Sequence, residues 1–319
     1  AFRSGMKFAS CDMGKTGMRS LVARLPEDLE RLELRFRWCS VGIDGASILA
    51  EKLPSSLRHL QLAFRGCGIG EPGARALAAK LPPQLQSLYL SMRGCPVGAG
   101  GAKAFAQHLP QELRELCLDF RDCRLPIAGI RALAQHLPRG LQQLRLQLGG
   151  SDLISSDCKV IMCQLPLESL RVLQLGFESC PLGLLGARAI AEALPQDLDA
   201  LHLDLDWCNI QAEGAIALAQ HLPPKVLRLW LGLGGCSIGR EGAQALARAL
   251  TYMSKLERLH LDCSRCRISF LGAKNLLEVM PNSLTSLLCD FRGCGIDVEE
   301  RQDLRDMLPE ALSVSSIMF

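Results

Sequence analysis

The strongest constraint on the fold of this chain is a sequence repeat with a spacing of 28 residues. Ten of the 15 cysteines follow it, and we call them the ladder cysteines. They are Cys11, Cys39, Cys67, Cys95, Cys123, Cys180, Cys208, Cys236, Cys266 and Cys294. The proline of a Leu-Pro pair keeps the same spacing from Pro26 to Pro166. A fixed period of about 20–50 residues indicates a solenoid, which overrides the two domains that a length of 319 residues would otherwise suggest.

Each repeat contains a strand pattern followed by a helix pattern, as residues 29–56 illustrate. Leu32, Leu34 and Phe36 alternate with charged residues, which is typical of a strand with one buried face. A glycine-containing turn follows, and apolar residues then recur at helical spacing up to Pro54. The sequence therefore predicts strand, turn, short helix and return loop in every repeat.

The repeats fill the chain, so we predict one solenoid domain over residues 1–319 with eleven repeats. Repeats 141–169 and 226–255 are irregular in length, and a partial twelfth strand is predicted at 312–319. The chain begins in register without an initiator Met and ends within a strand pattern. Either it is a fragment or mature product of a longer chain, or neighbouring molecules cover its ends.

The consensus LxxLxLxFxxCxIGxxGAxALAxxLP resembles the leucine-rich-repeat family, in its cysteine-containing, ribonuclease-inhibitor-like subtype. The resemblance covers essentially the whole chain, although the cysteine follows the last strand leucine by five residues instead of three. It implies an α/β leucine-rich-repeat solenoid. Parallel strands lie ~4.8 Å apart and helices ~8–10 Å apart, so we expect a horseshoe with a concave parallel sheet and convex short helices.

A glycine pattern within the repeats resembles a nucleotide-binding motif. Gly68, Gly70 and Gly73 form G-x-G-x-x-G between a strand and a helix, as in a dinucleotide-binding loop. The same turn recurs at Gly42 and Gly45 and in further repeats. Close packing of turn and helix explains the pattern better, so we predict no cofactor.

The cysteines are predicted to be buried free thiols. Cys263 and Cys266 form a C-x-x-C pair, and Cys289 and Cys294 in the next repeat could complete a zinc site. All four occupy ladder or core positions, which favours packed thiols, and no metal site is predicted. So many free thiols favour a reducing compartment, first the cytoplasm, with an organelle interior after removal of a targeting segment as the alternative.

Composition argues against several classes of function. The net charge of +3 and the absence of interleaved basic and aromatic residues argue against nucleic acid binding. No apolar run approaches the ~20 residues that a membrane span needs. No nucleophile, base and carboxylate converge in any motif, so we predict no catalytic residues and no enzyme.

The informative surface is the set of strand positions that alternate with the buried leucines, which we call the sheet face. Basic residues dominate it in repeats two to five, and acidic residues dominate it in repeats seven to eleven. Arg37, Arg65, Arg93 and Arg121 occupy one position in four successive repeats, and we call them the arginine column. The candidate partner-binding residues are Arg35, Arg37, Arg65, Arg93, Arg121, Tyr89, His202, Asp204, Asp206, Trp230, His260, Asp262 and Asp290.

These observations predict a non-enzymatic protein–protein interaction scaffold that binds a protein partner through its concave face. The arginine column would meet an acidic patch of the partner, Tyr89 and Trp230 would anchor it, and the aspartates would fix its orientation. One alternative is a structural accessory subunit held in a larger assembly by its ends or convex face. Another is a GTPase-activating regulator like the Ran GTPase-activating proteins, although the long acidic tail of that family is missing here.

Overall fold

The computed structural model describes residues 6–308 and 317–319 of the chain. In these residues, twelve strands and eleven helices alternate along the sequence, as the repeat pattern predicts. They belong to two compact units. Unit 1 comprises Ala1–Asp152 and Gln164–Ser169, and unit 2 comprises Leu153–Cys163 and Leu170–Phe319. The prediction of one domain over residues 1–319 stays a prediction.

Unit 1 contains six strands and five helices. The strands are β1 (Met6–Ala9), β2 (Arg31–Arg37), β3 (His59–Arg65), β4 (Ser87–Ser91), β5 (Glu115–Asp119) and β6 (Gln143–Gln147). The helices are α1 (Lys15–Val22), α2 (Gly42–Glu51), α3 (Gly70–Ala79), α4 (Gly98–His108) and α5 (Ile127–His136). Each strand pairs in parallel with the next strand of the chain, and equivalent residues of successive repeats lie side by side.

Unit 2 has the same strand and helix order. Its strands are β7 (Val172–Gly176), β8 (Ala200–Asp204), β9 (Arg228–Gly232), β10 (Arg258–Asp262), β11 (Ser286–Asp290) and β12 (Ile317–Met318). Its helices are α6 (Ser155–Met162), α7 (Gly183–Glu192), α8 (Gln211–His221), α9 (Gly239–Leu250), α10 (Ser269–Glu278) and α11 (Val298–Asp306). Neighbouring strands are again parallel. Of the predicted twelfth strand, residues 312–316 lie outside the described residues, and the end of the chain pairs with β11.

The core lies between the strands and the helices of each unit. Alternate strand residues are buried, as in β2, where Leu32, Leu34 and Phe36 are at most 3% exposed. Phe36 stacks on Phe64 of the next repeat with ring centroids 5.4 Å apart and planes 8° from parallel. This stacking places the intervening strand residues on the sheet face, where the candidate binding residues lie.

Small residues allow successive helices to approach closely. A Cβ atom added to Gly73 would lie 2.7 Å from Cγ2 of Ile69 and 3.1 Å from Cβ of Ala46, which belongs to the preceding helix. Gly68 and Gly70 have positive φ angles of 63° and 65°, so they serve the turn before α3. All three glycines of the G-x-G-x-x-G pattern therefore have a role in the turn or in packing. The helices begin earlier than the sequence predicted, since α2 starts at Gly42 and not at Gly45.

The ladder cysteines connect each repeat to the one before it. The Sγ atom of Cys95 donates a hydrogen bond to the carbonyl oxygen of Phe64 at 2.9 Å, and Cys208 donates to Phe177 at the same distance. Burial raises the pKa of the Cys67 thiol to about 12, so this group stays protonated. The thiols are free, as predicted. The acceptors lie in the preceding repeat, within the last residues of its strand or directly after it.

Candidate functional site

The arginine column lies on the sheet face of unit 1. Strand pairing sets Arg37 directly beside Arg65, and the backbone N–H groups of Gly66 and Gly94 continue the ladder by donating to the carbonyls of Arg93 and Arg121. The arginine side chains are neighbours on adjacent strands and carry the same charge. Their mutual repulsion destabilises the sheet unless a carboxylate lies close to them. The partners of these arginines therefore determine how much positive charge remains.

Carboxylates neutralise part of the basic surface. The Nε atom of Arg93 lies 2.9 Å from a carboxylate oxygen of Asp122, and Arg35 lies 2.7 Å from Glu33. No carboxylate of the described residues pairs with Arg37 or Arg65. Arg37 and Arg65 therefore keep their positive charge at the ends of β2 and β3.

Asp119 pairs with the last arginine of the column and is buried beneath it. Its carboxylate accepts hydrogen bonds from Nε and Nη2 of Arg121 at 2.9 and 3.0 Å and from the Ser91 hydroxyl at 3.0 Å. Burial alone would raise the pKa of Asp119, but the charge and hydrogen bonds of Arg121 and Ser91 outweigh it and lower the pKa. Arg121 therefore has a structural partner in addition to its place in the column.

Tyr89 is half-buried beside a shallow depression of about 170 Å³ on the sheet face of unit 1. Cys117, Glu115 and Arg145 of the next two strands contribute to its lining. Burial raises the pKa of the Tyr89 hydroxyl, which therefore remains a neutral hydrogen-bonding group. The predicted anchor is consequently a half-buried tyrosine beside a depression that polar side chains help to line.

Trp230 occupies the centre of the sheet face of unit 2. Its ring centroid lies 3.7 Å from that of His202 and 5.1 Å from that of His260, on the two neighbouring strands. Burial lowers the pKa of His260, although Asp262 and Asp290 act in the opposite direction. The structure thus brings three of the predicted binding residues together as a row of aromatic rings.

Carboxylates converge beside this aromatic row. A Cβ atom added to Gly234 would lie 3.2 Å from an oxygen of Asp206 and 3.2 Å from one of Asp262, so both point over the same glycine. Burial, followed by the charge of Asp206 and a hydrogen bond to Glu178, raises the pKa of Asp204 to about 7. Burial and the charge of Asp262 raise the pKa of Asp206 to about 6. Asp204 and Asp206 therefore hold protons more tightly than exposed aspartates do.

Asp290 is only 1% exposed and lies under the guanidinium group of Arg292. The Nε atom of Arg292 donates to both of its carboxylate oxygens, at 3.0 and 2.9 Å. Of the predicted acidic residues, Asp290 is therefore the one that a partner reaches least easily. Arg292 covers it and presents a positive charge within an otherwise acidic surface.

Sequence reasoning missed two exposed tryptophans that lie directly before a ladder cysteine. Trp38 and Trp207 are 56% and 55% exposed and have positive φ angles of 54° and 60°. A bulky L-residue in this conformation costs roughly 1–2 kcal/mol. The signal in the sequence was the Trp-Cys pair, in which a large aromatic residue follows the strand alternation and precedes the turn.

Elsewhere, the described cysteines lack the geometry of a metal centre. Cys294 donates its thiol proton to the carbonyl of Cys263 at 3.0 Å, and burial raises the pKa of both thiols. In residues 6–308 and 317–319, no group of three His, Cys, Asp or Glu side chains is arranged to hold a metal ion. No helix in the same residues has the length and apolar character to cross a membrane.

Parallel strands in chain order, each followed by a short helix, define an α/β solenoid built from repeats. A family model described as "Leucine Rich repeat" matches residues 55–78 and 201–219. The chain therefore contains leucine-rich repeats, and its fold is that of a leucine-rich-repeat solenoid. The ribonuclease-inhibitor-like subtype remains a resemblance. Repeat folds of this class offer extended surfaces that are used mostly for binding other proteins.

Comparison with solved structures gives two matches at low sequence identity. The leucine-rich-repeat-containing protein LegL7 from Legionella pneumophila is 15% identical, with a TM-score of 0.56 over 95% of this chain and 97% of that one. A chain in the structure of the yeast Rad7 and Elc1 complex is also 15% identical, with a TM-score of 0.49 over 92% of this chain and 80% of that one. Among curated proteins, none matches the chain.

Proposed function

We propose that this protein is a non-enzymatic interaction scaffold that binds a protein partner through its sheet face. The observation that carries the proposal is the arginine column of unit 1. Arg37 and Arg65 lie side by side, and no carboxylate of the described residues pairs with either of them. Like charges at strand spacing destabilise the fold, so an acidic surface of a partner offers a reason for their presence.

The partner chemistry follows from the charges of the surface. In unit 1, the arginine column fits an acidic patch, and Tyr89 beside its depression offers an aromatic anchor. In unit 2, Trp230 offers a second anchor, and Asp204, Asp206 and Asp262 orient a partner by attracting its basic groups. The protein would act by holding such a partner in place.

The proposal is tested by reversing the charge of Arg37, Arg65 and Arg93 to glutamate in one variant. A fluorescein-labelled polyglutamate peptide serves as the acidic probe, and its fluorescence anisotropy reports binding. We expect at least about tenfold weaker binding at low salt, because the attraction of Arg37 and Arg65 becomes repulsion and Arg93, which Asp122 partly neutralises, adds a third negative charge. Binding to the wild type should also weaken as salt rises, since screening acts on exposed charges.

The control variant changes three arginines away from the sheet face, replacing Arg19, Arg24 and Arg75 with glutamate. These side chains are exposed on the helical side of unit 1, and the change in net charge is the same. Arg121 is left intact in both variants because Asp119 depends on it. If the two variants bound the acidic peptide equally well, net charge and not the arginine column would govern binding, and the proposal would be wrong.

A further inference from the structure

We propose that Trp38, with Arg37 and Arg65 beside it, forms a docking point for an acidic segment of a protein partner that carries an aromatic residue. The docking point lies at the edge of unit 1 where the strands end. The inference rests on the proposed function, because it specifies the partner chemistry of the same basic surface. It also extends that surface from the strands to a residue that lies beyond them.

The backbone position of Trp38 is a poor place for a tryptophan. The residue before the ladder cysteine, or before Ser151 where that cysteine is missing, has a positive φ angle in eleven successive repeats. Its occupants are Ser10, Trp38, Gly66, Gly94, Asp122, Gly150, Ser179, Trp207, Gly235, Arg265 and Gly293. Glycine suits this conformation best, and small polar residues adopt it more readily than bulky ones. Tryptophan therefore occupies this position although the backbone conformation disfavours a bulky side chain.

The ring of Trp38 is held in place on one side and open on the other. Its backbone N–H donates to the carbonyl of Arg65 at 2.9 Å. Its ring lies against the backbone of Gly66, where an added Cβ atom would come within 2.3 Å of two ring carbons. The guanidinium carbon of Arg65 is 5.9 Å from the ring centroid, within the range of a cation–π contact. A fixed ring that remains 56% exposed is pre-organised for contact with another molecule.

The fold itself does not require a ring at this position. Gly94, Gly150 and Gly293 occupy the position that Trp38 occupies in its own repeat, and they have positive φ angles. In none of these three cases is the residue at the same position of the preceding repeat a tryptophan. The ladder hydrogen bonds continue there without a ring, as between the N–H of Gly94 and the carbonyl of Arg121. Since the repeat is built equally well with glycine, binding gives the better account of Trp38.

Charge and shape determine the occupant. Arg37 is exposed and directly precedes Trp38, and Arg65 lies against its ring, so carboxylates of a partner are attracted to both sides. An exposed ring face of tryptophan stacks well on another aromatic ring, and tryptophan and arginine are enriched among residues that dominate binding energy. Glu33 and Asp122 lie on the same surface and disfavour the continuous phosphate backbone of a nucleic acid.

Trp207 supplies a matched control within the same chain. It occupies the same repeat position in unit 2, has a similar exposed fraction, and lies against Gly235 as Trp38 lies against Gly66. The residue before it is Asp206 and not an arginine. The guanidinium carbon of Arg265 lies 5.7 Å from the ring centroid of Trp207, much as that of Arg65 lies over Trp38. An acidic segment should therefore bind more weakly at Trp207 than at Trp38, because Asp206 repels it where Arg37 attracts it.

The experiment compares two fluorescein-labelled probes, a polyglutamate peptide and the same peptide with one central phenylalanine. Their affinities are measured for the wild type, for Trp38→Ala and for Trp207→Ala. We expect the phenylalanine to strengthen binding about tenfold for the wild type and for Trp207→Ala. Trp38→Ala should remove this gain and leave most of the affinity for polyglutamate. Trp38→Asn is a second variant, because asparagine tolerates a positive φ angle and should leave the fold intact. It should lose the phenylalanine gain as Trp38→Ala does.

The outcomes separate this inference from the proposed function. A phenylalanine gain that survives Trp38→Ala overturns the docking point, whereas the arginine column still stands if the triple glutamate variant loses polyglutamate binding. Polyglutamate binding that survives the triple variant overturns the proposed function instead. A single-stranded oligodeoxynucleotide that binds more tightly than both peptides, in a Trp38-dependent manner, overturns the choice of a protein partner.

Discussion

Replacement of Phe64 by alanine is expected to lower the free energy of unfolding by about 3–5 kcal/mol. The side chain is fully buried in unit 1, and its ring stacks on Phe36. Its carbonyl also accepts the thiol hydrogen bond of Cys95, so the residue connects three successive repeats. Removing the ring leaves a cavity that the neighbouring strands cannot close, because hydrogen bonds on both sides fix their spacing.

A leucine at the same position is the matched control for this prediction. Leu148, Leu205 and Leu233 occupy the equivalent position in other repeats and are fully buried. Phe64→Leu should therefore cost only about 1 kcal/mol, since part of the volume is kept. Urea unfolding followed by circular dichroism measures both variants. Equal losses for alanine and leucine would show that stacking of the two rings, and not buried volume, stabilises this part of the core.

Asp204→Asn is expected to stabilise the protein at alkaline pH and to have little effect at acidic pH. The pKa of Asp204 is about 7 in the folded protein, well above the value of an exposed aspartate. The stabilisation that its protonation provides is complete below the unfolded pKa and is lost as pH rises through the folded pKa. Since asparagine carries no charge, the variant should gain about 2 kcal/mol over the wild type at pH 8 and almost none at about pH 3, below the unfolded pKa.

Asp119 occupies the same repeat position as Asp204, but its pKa is shifted in the opposite direction, so it serves as a control. Its pKa is lowered because, despite burial, Arg121 and Ser91 stabilise the carboxylate, so its contribution to stability is present at neutral pH and lost in acid. Asp119→Asn should therefore destabilise the protein at pH 7, and the difference from the wild type should shrink as pH falls. Thermal unfolding at several pH values measures both variants. A shift of the same sign for both would contradict the opposite environments of the two carboxylates.

Much of the fold was predictable because the repeat combines two periodicities that burial enforces. Alternation at Leu32, Leu34 and Phe36 predicts a strand, and the spacing after Gly45 predicts a helix, which the structure extends back to Gly42. Parallel pairing in chain order was also predictable, since a short helix between equivalent strands leaves each repeat beside the next. The limits of the helices were less well predicted, because the turn glycines suit either conformation.

The candidate site was predictable in position but not in charge state. The sequence placed the arginine column and the aspartates on one face, because side chains in a strand alternate between its two sides. It could not reveal that Asp119 binds Arg121 while Asp204 lies beside Glu178, although the two aspartates occupy the same repeat position. Partners across neighbouring strands depend on side-chain conformations that strand alternation does not specify.

By itself, the sequence determined the class of fold, the length of the repeat and the set of side chains that face outward, because all three follow from a local pattern of buried leucines. Only the tertiary structure decided which outward charges remain unpaired and which rings are exposed. Arg37 and Trp38 show the difference. Nothing in the surrounding sequence indicates that Arg37 lacks a carboxylate partner or that the ring of Trp38 lies against Gly66 and stays exposed. Both properties arise from contacts with the next repeat, 28 residues further along the chain.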